Sequence, residues 1–128
     1  MKLARFSLGA TALAFFILGF WLLIAPQGLG NIGIQLLNDS ARVEIRAMYG
    51  GFEIGIGIFF LIAALRPAWF RAALTLQAVS LLGLGGVRLA ALLMAPNAEK
   101  ILYLFCALEL TAVAVAVVAL RRLPASEA

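Results

Sequence analysis

The chain has 128 residues, of which 65% are hydrophobic and only 12% are charged, and its formal net charge is +4. This composition excludes an ordinary soluble domain, because so much apolar surface cannot be buried in one small core, and it predicts an integral membrane protein. The single cysteine excludes an intrachain disulfide, and with no histidine we expect neither a metal nor another cofactor.

Four apolar runs approach the roughly 20 residues that a helix needs to cross about 30 Å of hydrocarbon. Each run is predicted to be helical, because backbone groups in lipid find partners only within their own segment. The connections are too short for a second domain, so residues 1–128 are predicted to form one four-helix transmembrane domain. The predicted helices cover residues 6–24, 42–65, 71–94 and 100–121.

The first predicted helix follows a basic start at Lys2 and Arg5, as a secretory signal does. Its apolar stretch is too long for a typical signal core, and Ala25 is followed at once by Pro26, which is a poor context for cleavage. We therefore expect this segment to be retained as a true membrane span.

The second predicted helix carries two charges inside its apolar run. Arg46, Gly50, Glu53 and Gly57 recur at helical spacing and define one stripe, with Tyr49 beside it. Charged residues within membrane spans are rare and mark a functional site or an internal ion pair. The stripe is therefore the first candidate site.

Two further features of this helix are predicted to be structural. Asp39 or Ser40 is predicted to be the N-cap of this helix, because Asp and Ser side chains are both favoured at that position. Gly51 and Gly55 make a GxxxG step, so with Gly50 and Gly57 they are expected to permit close helix packing.

The third and fourth predicted helices carry one embedded charge each. Arg88 shares a stripe with Gln77, and Glu109 shares one with Cys106. Gln77 is expected to hydrogen-bond across to a neighbouring helix. Cys106 is interpreted as a packing residue, because a thiol next to a carboxylate is less ionised and less reactive.

Basic residues in the connections favour one orientation, because cytoplasmic loops are enriched in Lys and Arg. Both termini are predicted to be cytoplasmic, with antiparallel, up-down connections. The excess charge forms no basic run, so a nucleic-acid partner is not expected, and attraction to anionic lipid explains it. Lys2, Arg5, Arg66, Arg71, Arg121 and Arg122 fall on the predicted cytoplasmic side, against Arg42 and Lys100 on the other.

A rise of 1.5 Å per helical residue places the four embedded charges at similar depths. Counted from the outer helix ends, Arg46 lies about 6 Å deep, Arg88 about 9 Å, Glu109 about 13 Å and Glu53 about 16 Å. The group is neutral, and we predict that it meets near the bundle axis in the outer half of the bilayer.

Three functions are compatible with such a charge cluster. The first is a pocket in which Arg46, Tyr49, Glu53, Arg88 and Glu109 bind a small amphiphile or organic anion. The second is a structural or accessory subunit, a homo-oligomer or the partner of another membrane protein, whose charges only fix helix packing. The third is a membrane enzyme that uses Glu53 or Glu109 as a general base. The sequence favours ligand binding without catalysis.

The segment from Glu44 to Gly57 resembles a known family. Its Arg-Ala-Met-Tyr-Gly-Gly sequence is similar to the Arg-Ala-x-Tyr-Gly-Gly pattern of small four-helix bacterial inner-membrane proteins classed only as a domain of unknown function. The matched positions are Arg46, Tyr49, Gly50 and Gly51, and the resemblance covers almost the whole chain. It implies the fold and a bacterial inner-membrane location but no activity.

A looser resemblance is to the DoxX-like four-helix proteins, some of which are associated with quinone or thiol redox systems. It implies a quinone- or lipid-associated enzyme partner. The chain has no histidine and no cysteine pair, and this difference argues against a redox role of its own.

Overall fold

A computed structural model describes residues 1–124, and this range contains four long helices. They are α1 (Lys2–Ile24), α2 (Asp39–Leu65), α3 (Phe70–Met94) and α4 (Lys100–Arg121). Each is long and apolar enough to cross a membrane, and the described range contains no strand. The all-helical prediction is confirmed, and the four helices indicate a multi-pass membrane protein.

The helix ends lie close to the predicted ones. α1 begins at Lys2 instead of residue 6, and α2 begins at Asp39 instead of residue 42. Both extensions contain polar or charged residues. Hydropathy indicates only the part of a helix that lies in the hydrocarbon, so it does not reveal the turns that continue beyond it. The predicted domain also includes residues 125–128, which lie outside the described residues.

The N-cap of α2 differs from the predicted one. The Asn38 Oδ1 atom accepts a hydrogen bond from the Ala41 amide at 2.9 Å, so Asn38 is the cap and Asp39 is the first helical residue. The prediction of Asp39 or Ser40 was wrong, because Asn, Asp and Ser are all favourable caps and composition does not choose among adjacent ones.

Replacing Asn38 with Ala is expected to lower the free energy of unfolding by about 1 kcal/mol, the usual effect of removing a cap. Ser40→Ala is the matched control, and we expect less than half that loss. Thermal unfolding of both variants in mild detergent tests the assignment, and a larger loss in Ser40→Ala would contradict it.

The helices are arranged around α1. α1 packs extensively along α2 and also contacts α3 and α4, while α3 packs mainly on α4. α2 and α3 make few contacts with each other. The bundle therefore consists of two closely packed pairs, α1 with α2 and α3 with α4, which meet along α1.

Contacts along the α1/α2 pair connect opposite ends of the two helices. Near the start of α1, the Arg5 Nε atom donates to the Ala64 carbonyl at 3.2 Å. Near its end, Leu23 packs against Gly50. We call the end of the bundle that contains Met1 and residues 66–69 the terminal end, and the opposite end, which contains residues 25–38 and 95–99, the loop end.

Most of the buried core lies toward the terminal end. Its largest side chains are Leu8, Phe60, Phe70 and Leu74, and alanines from all four helices surround them. Small residues let helix backbones approach closely, which is how membrane helices gain packing contacts without a strong hydrophobic driving force.

One polar contact crosses this core. The buried Gln77 amide donates to the Ser7 hydroxyl at 3.0 Å and to the Ala112 carbonyl at 3.2 Å, so it joins α3 to α1 and α4. The prediction that Gln77 bonds to a neighbouring helix is confirmed. The candidate site residues all lie beyond this core, toward the loop end.

Candidate functional site

The matched motif forms an unusual turn in the middle of α2. Residues Arg46–Phe52 form a π-helix, flanked by regular α-helix on both sides. In a π-helix each amide donates a hydrogen bond to the carbonyl five residues back, which widens the turn. The residues that follow are therefore rotated about the helix axis relative to a regular α-helix. Such turns are rare and occur frequently at functional sites.

Close contact with the end of α1 accompanies this turn. A Cβ on Gly50 would lie 3.0 Å from the Leu23 Cβ and 3.1 Å from the Leu23 Cα, so a side chain at that position would require α1 to move slightly away. A Cβ on Gly19 would lie 3.1 Å from the Gly50 carbonyl oxygen. Gly19 and Gly50 therefore form one helix-crossing point, with backbone against backbone.

Gly57 extends the α1 contact, whereas the GxxxG step does not. A Cβ on Gly57 would lie 2.9 Å from the Phe16 ring. A Cβ on Gly55 would meet nothing within 4 Å, and one on Gly51 would meet only the Arg46 carbonyl oxygen at 3.9 Å. Gly50 and Gly57 thus make the helix contact within this chain, and Gly51 and Gly55 face away from it.

Arg46 reaches the C-terminal end of α1. Its Nε atom donates to the Leu23 carbonyl at 3.1 Å, and the side chain is otherwise exposed. The last carbonyls of a helix have no intrahelical partner, and a cation there also interacts favourably with the helix dipole. Arg46 therefore caps α1 and still presents guanidinium N–H groups at the surface.

Glu53 lies one residue beyond the π-helix, between Gly50 and Gly57 on the chain. Its side chain is partly buried, and its Oε2 atom is fully shielded without a hydrogen-bond partner in the described range. An unpartnered buried carboxylate oxygen loses hydration without compensation, which is unfavourable. It is the one such side-chain atom among residues 1–124.

Arg88 and Glu109 form a closed ion pair between α3 and α4. The Arg88 Nε and Nη2 atoms donate to the two Glu109 oxygens, both at 2.9 Å. A Cβ on Gly85 would lie 3.0 Å from the Glu109 Cβ, so glycine at this position permits the close approach. This two-bond geometry is the strongest arrangement available to Arg and a carboxylate, and it neutralises both charges.

The four charges predicted to cluster are only partly brought together. Arg88 pairs with Glu109, and within residues 1–124 no salt bridge links Arg46 or Glu53 to each other or to that pair. Tyr49 lies on the π-helix with 41% of its surface exposed. Cys106 is buried with its thiol 3.6 Å from the Gly85 carbonyl oxygen, which confirms its packing role.

Two open grooves of the described chain lie away from these residues. One lies beside Lys2 and Arg5, and the other lies between Leu3 and Val118. Neither is lined by Arg46, Glu53 or Arg88. Within the described range, no group of three acidic, histidine or cysteine side chains is arranged to hold a metal ion.

Sequence reasoning missed the π-helix and the role of Gly19. The regular period of 3.6 residues does not hold through Arg46–Phe52, and local composition contains no signal for a widened turn. Gly19 faces Gly50, and the signal that could have identified it is a glycine near the end of an apolar span, opposite a Gly-Gly pair in an adjacent helix.

A search of curated proteins found no match, and a search of solved structures also found none. A family model described as Domain of unknown function (DUF4345) matches residues 3–120. With nearly the whole chain matched and four membrane-length helices in the described range, the protein belongs to the DUF4345 family.

Proposed function

We propose that the protein binds a small amphiphile whose polar head lies against Glu53 and Arg46. The observation that supports this most directly is the shielded Glu53 Oε2 atom, which lacks a partner within residues 1–124. On insertion scales, a charged side chain near the bilayer centre carries an unfavourable free energy of roughly 2.5 to 3.5 kcal/mol. An apolar residue at the same position would avoid that cost. A ligand that donates a hydrogen bond would satisfy the carboxylate.

The two side chains define the chemistry of the head group. Glu53 requires a hydrogen-bond donor, such as a hydroxyl. Arg46 uses Nε for the Leu23 carbonyl, and its remaining N–H groups suit an anionic or carbonyl oxygen. Tyr49, between them on the chain, offers an exposed ring and a hydroxyl. In this proposal Arg88 and Glu109 support the fold and do not contact the ligand directly.

The proposed orientation places the loop end at the outer face of a bacterial inner membrane, with both termini in the cytoplasm. The distribution of Lys and Arg supports it. The contacts of Arg5 with Ala64 and of Leu23 with Gly50 support an antiparallel, up-down bundle. Reporter fusions at residues 66–69 test the orientation, and an external location for them would overturn it.

The binding proposal is tested with 1-oleoylglycerol, which has hydroxyl donors and an ester carbonyl, against methyl oleate, which has the carbonyl but no donor. We expect 1-oleoylglycerol to raise the thermal midpoint of the wild type in mild detergent. The stabilisation should disappear in Glu53→Met, which lacks the acceptor, and persist in Glu44→Met, whose carboxylate is exposed on the same helix.

Glu53→Met without ligand should be as stable as the wild type or more stable, because it removes an unpartnered polar atom. A strong loss of stability would contradict the proposal, since it would assign Glu53 to the fold. Equal stabilisation of the wild type by both oleoyl compounds would contradict it as well, because the donor would then have no effect.

A second candidate is a structural or accessory subunit that binds another membrane protein or a second copy of itself. The closed Arg88–Glu109 pair favours this function, because those charges already satisfy each other. The outward-facing Gly51 and Gly55 would permit close approach of a partner helix. Under this alternative, 1-oleoylglycerol has no effect on the wild type.

A further inference from the structure

Charge is distributed unevenly between the two ends of the bundle. None of the acidic residues of the described chain lies at the terminal end. They are Asp39, Glu44, Glu53, Glu99 and Glu109. Six basic side chains lie at the terminal end and are exposed there. They are Lys2, Arg5, Arg66, Arg71, Arg121 and Arg122.

Three of these basic residues are engaged in internal contacts. Arg5 donates to the Ala64 carbonyl, Arg71 donates to the Pro124 carbonyl at 2.8 Å, and the Arg66 guanidinium lies 5.6 Å from the centre of the Trp69 ring. These contacts account for the positions of three cations, one on α1, one on α3 and one in the connection between α2 and α3. They leave the surface formed by the start of α1 and the end of α4.

An apolar groove reaches this surface. It lies between α1 and α4, has a volume of about 300 Å³ and is open to the side. Arg122 is its one charged lining residue, and its other lining residues are Leu3, Ala114, Val115 and Val118. A second open groove, of about 340 Å³, adjoins Lys2 and Arg5 on the same first turns of α1.

We propose that this surface, which we call the basic groove (Leu3, Ala114, Val115, Val118 and Arg122), binds an anionic phospholipid. One acyl chain lies along the apolar wall between α1 and α4, and the phosphate lies beside Arg122, the one charged residue that lines the groove. Basic pockets between membrane helices recognise anionic head groups, and each nearby Lys or Arg contributes about 1 kcal/mol. Charge complementarity and the apolar wall together select a lipid and not a soluble anion.

This site is separate from Glu53 and Arg46, so the lipid proposal does not depend on the proposed amphiphile binding. It also does not depend on which face of the membrane the terminal end occupies. Leu3 lines the groove from α1 and Arg122 lines it from the end of α4, so a bound lipid would hold α1 against α4.

The test uses the full chain in mild detergent, with dioleoyl phosphatidylglycerol or dioleoyl phosphatidylcholine added, and counts bound lipid by native mass spectrometry. The wild type should retain phosphatidylglycerol preferentially. Arg122→Gln should weaken that binding about fivefold. Arg42→Gln removes an exposed cation from the other half of the molecule and should leave the binding unchanged.

Ala114→Phe tests the apolar wall, because it fills the groove and retains every charge. It should weaken binding of phosphatidylglycerol, with thermal unfolding as a check that the variant is folded. Val79→Phe, at an exposed position on α3, is the matched control and should have no effect.

Three results would overturn the proposal. The first is equal retention of both phospholipids by the wild type. The second is a loss in Arg42→Gln as large as that in Arg122→Gln, which would indicate general charge attraction. The third is displacement of the lipid by glycerol 3-phosphate at the same concentration, which would show that the acyl chain contributes nothing.

Discussion

Replacing Glu109 with Gln is expected to lower the free energy of unfolding by about 3 kcal/mol. The variant leaves the Arg88 guanidinium without its carboxylate partner between two helices, where the side chains are only 25% and 13% exposed. Removing one partner of a buried pair is strongly destabilising because the remaining charge is uncompensated. Equilibrium unfolding in mixed micelles measures the effect.

The double variant Arg88→Met/Glu109→Leu distinguishes the pair from its individual charges. We expect it to recover most of the stability lost in Glu109→Gln, since an apolar pair of similar volume often replaces a buried ion pair without loss. The single variants Arg88→Met and Glu109→Leu should each be destabilised like Glu109→Gln, and with the double variant they form a complete cycle. Additive losses in the double variant would contradict a direct interaction.

Much of the fold could be predicted because the membrane imposes a simple physical rule. A backbone in hydrocarbon must be helical, and a run of about 20 apolar residues fixes the length of each span. The C-terminal ends of all four helices therefore agree with the predicted ones, at residues 24, 65, 94 and 121. Gln77 was also interpreted correctly, since a polar amide in a span needs a partner in another helix.

The candidate site was less predictable, because it depends on which helices touch. Depth and facing placed Arg46, Glu53, Arg88 and Glu109 in one group. The structure, however, pairs α1 with α2 and α3 with α4, so Arg88 meets Glu109 while Arg46 reaches the end of α1. Hydropathy specifies neither which helices are neighbours nor how each helix is rotated about its axis. Helix contacts in lipid are decided by small differences in packing.

The π-helix illustrates the same limit at the level of the backbone. Nothing in the residue types of Arg46–Phe52 requires hydrogen bonds to the carbonyl five residues back. The widened turn coincides with the close approach of Leu23 to Gly50, which is a tertiary contact between distant parts of the chain. A local pattern therefore identified the motif but not its geometry.

Gly19→Val is expected to lower the free energy of unfolding by about 2 to 3 kcal/mol, at the upper end of overpacking effects. A Cβ at this position would lie 2.9 Å from the Ile54 Cγ1 and 3.1 Å from both the Gly50 carbonyl oxygen and the Ile54 amide. Two of these three neighbours are backbone atoms, so no side-chain rotation relieves the clash. The helices must separate at their crossing point.

Gly9→Val is the matched control on the same helix, because a Cβ on Gly9 would meet nothing within 4 Å. It should change stability by less than about 0.5 kcal/mol, the usual range for a substitution away from packed contacts. Separation of α1 from α2 should also break the bond from Arg46 to the Leu23 carbonyl, so Arg46→Gln should cost less in Gly19→Val than in the wild type. Equal losses from Arg46→Gln in both backgrounds would show that the glycine contact and the arginine cap act independently, and would contradict a single helix-crossing unit.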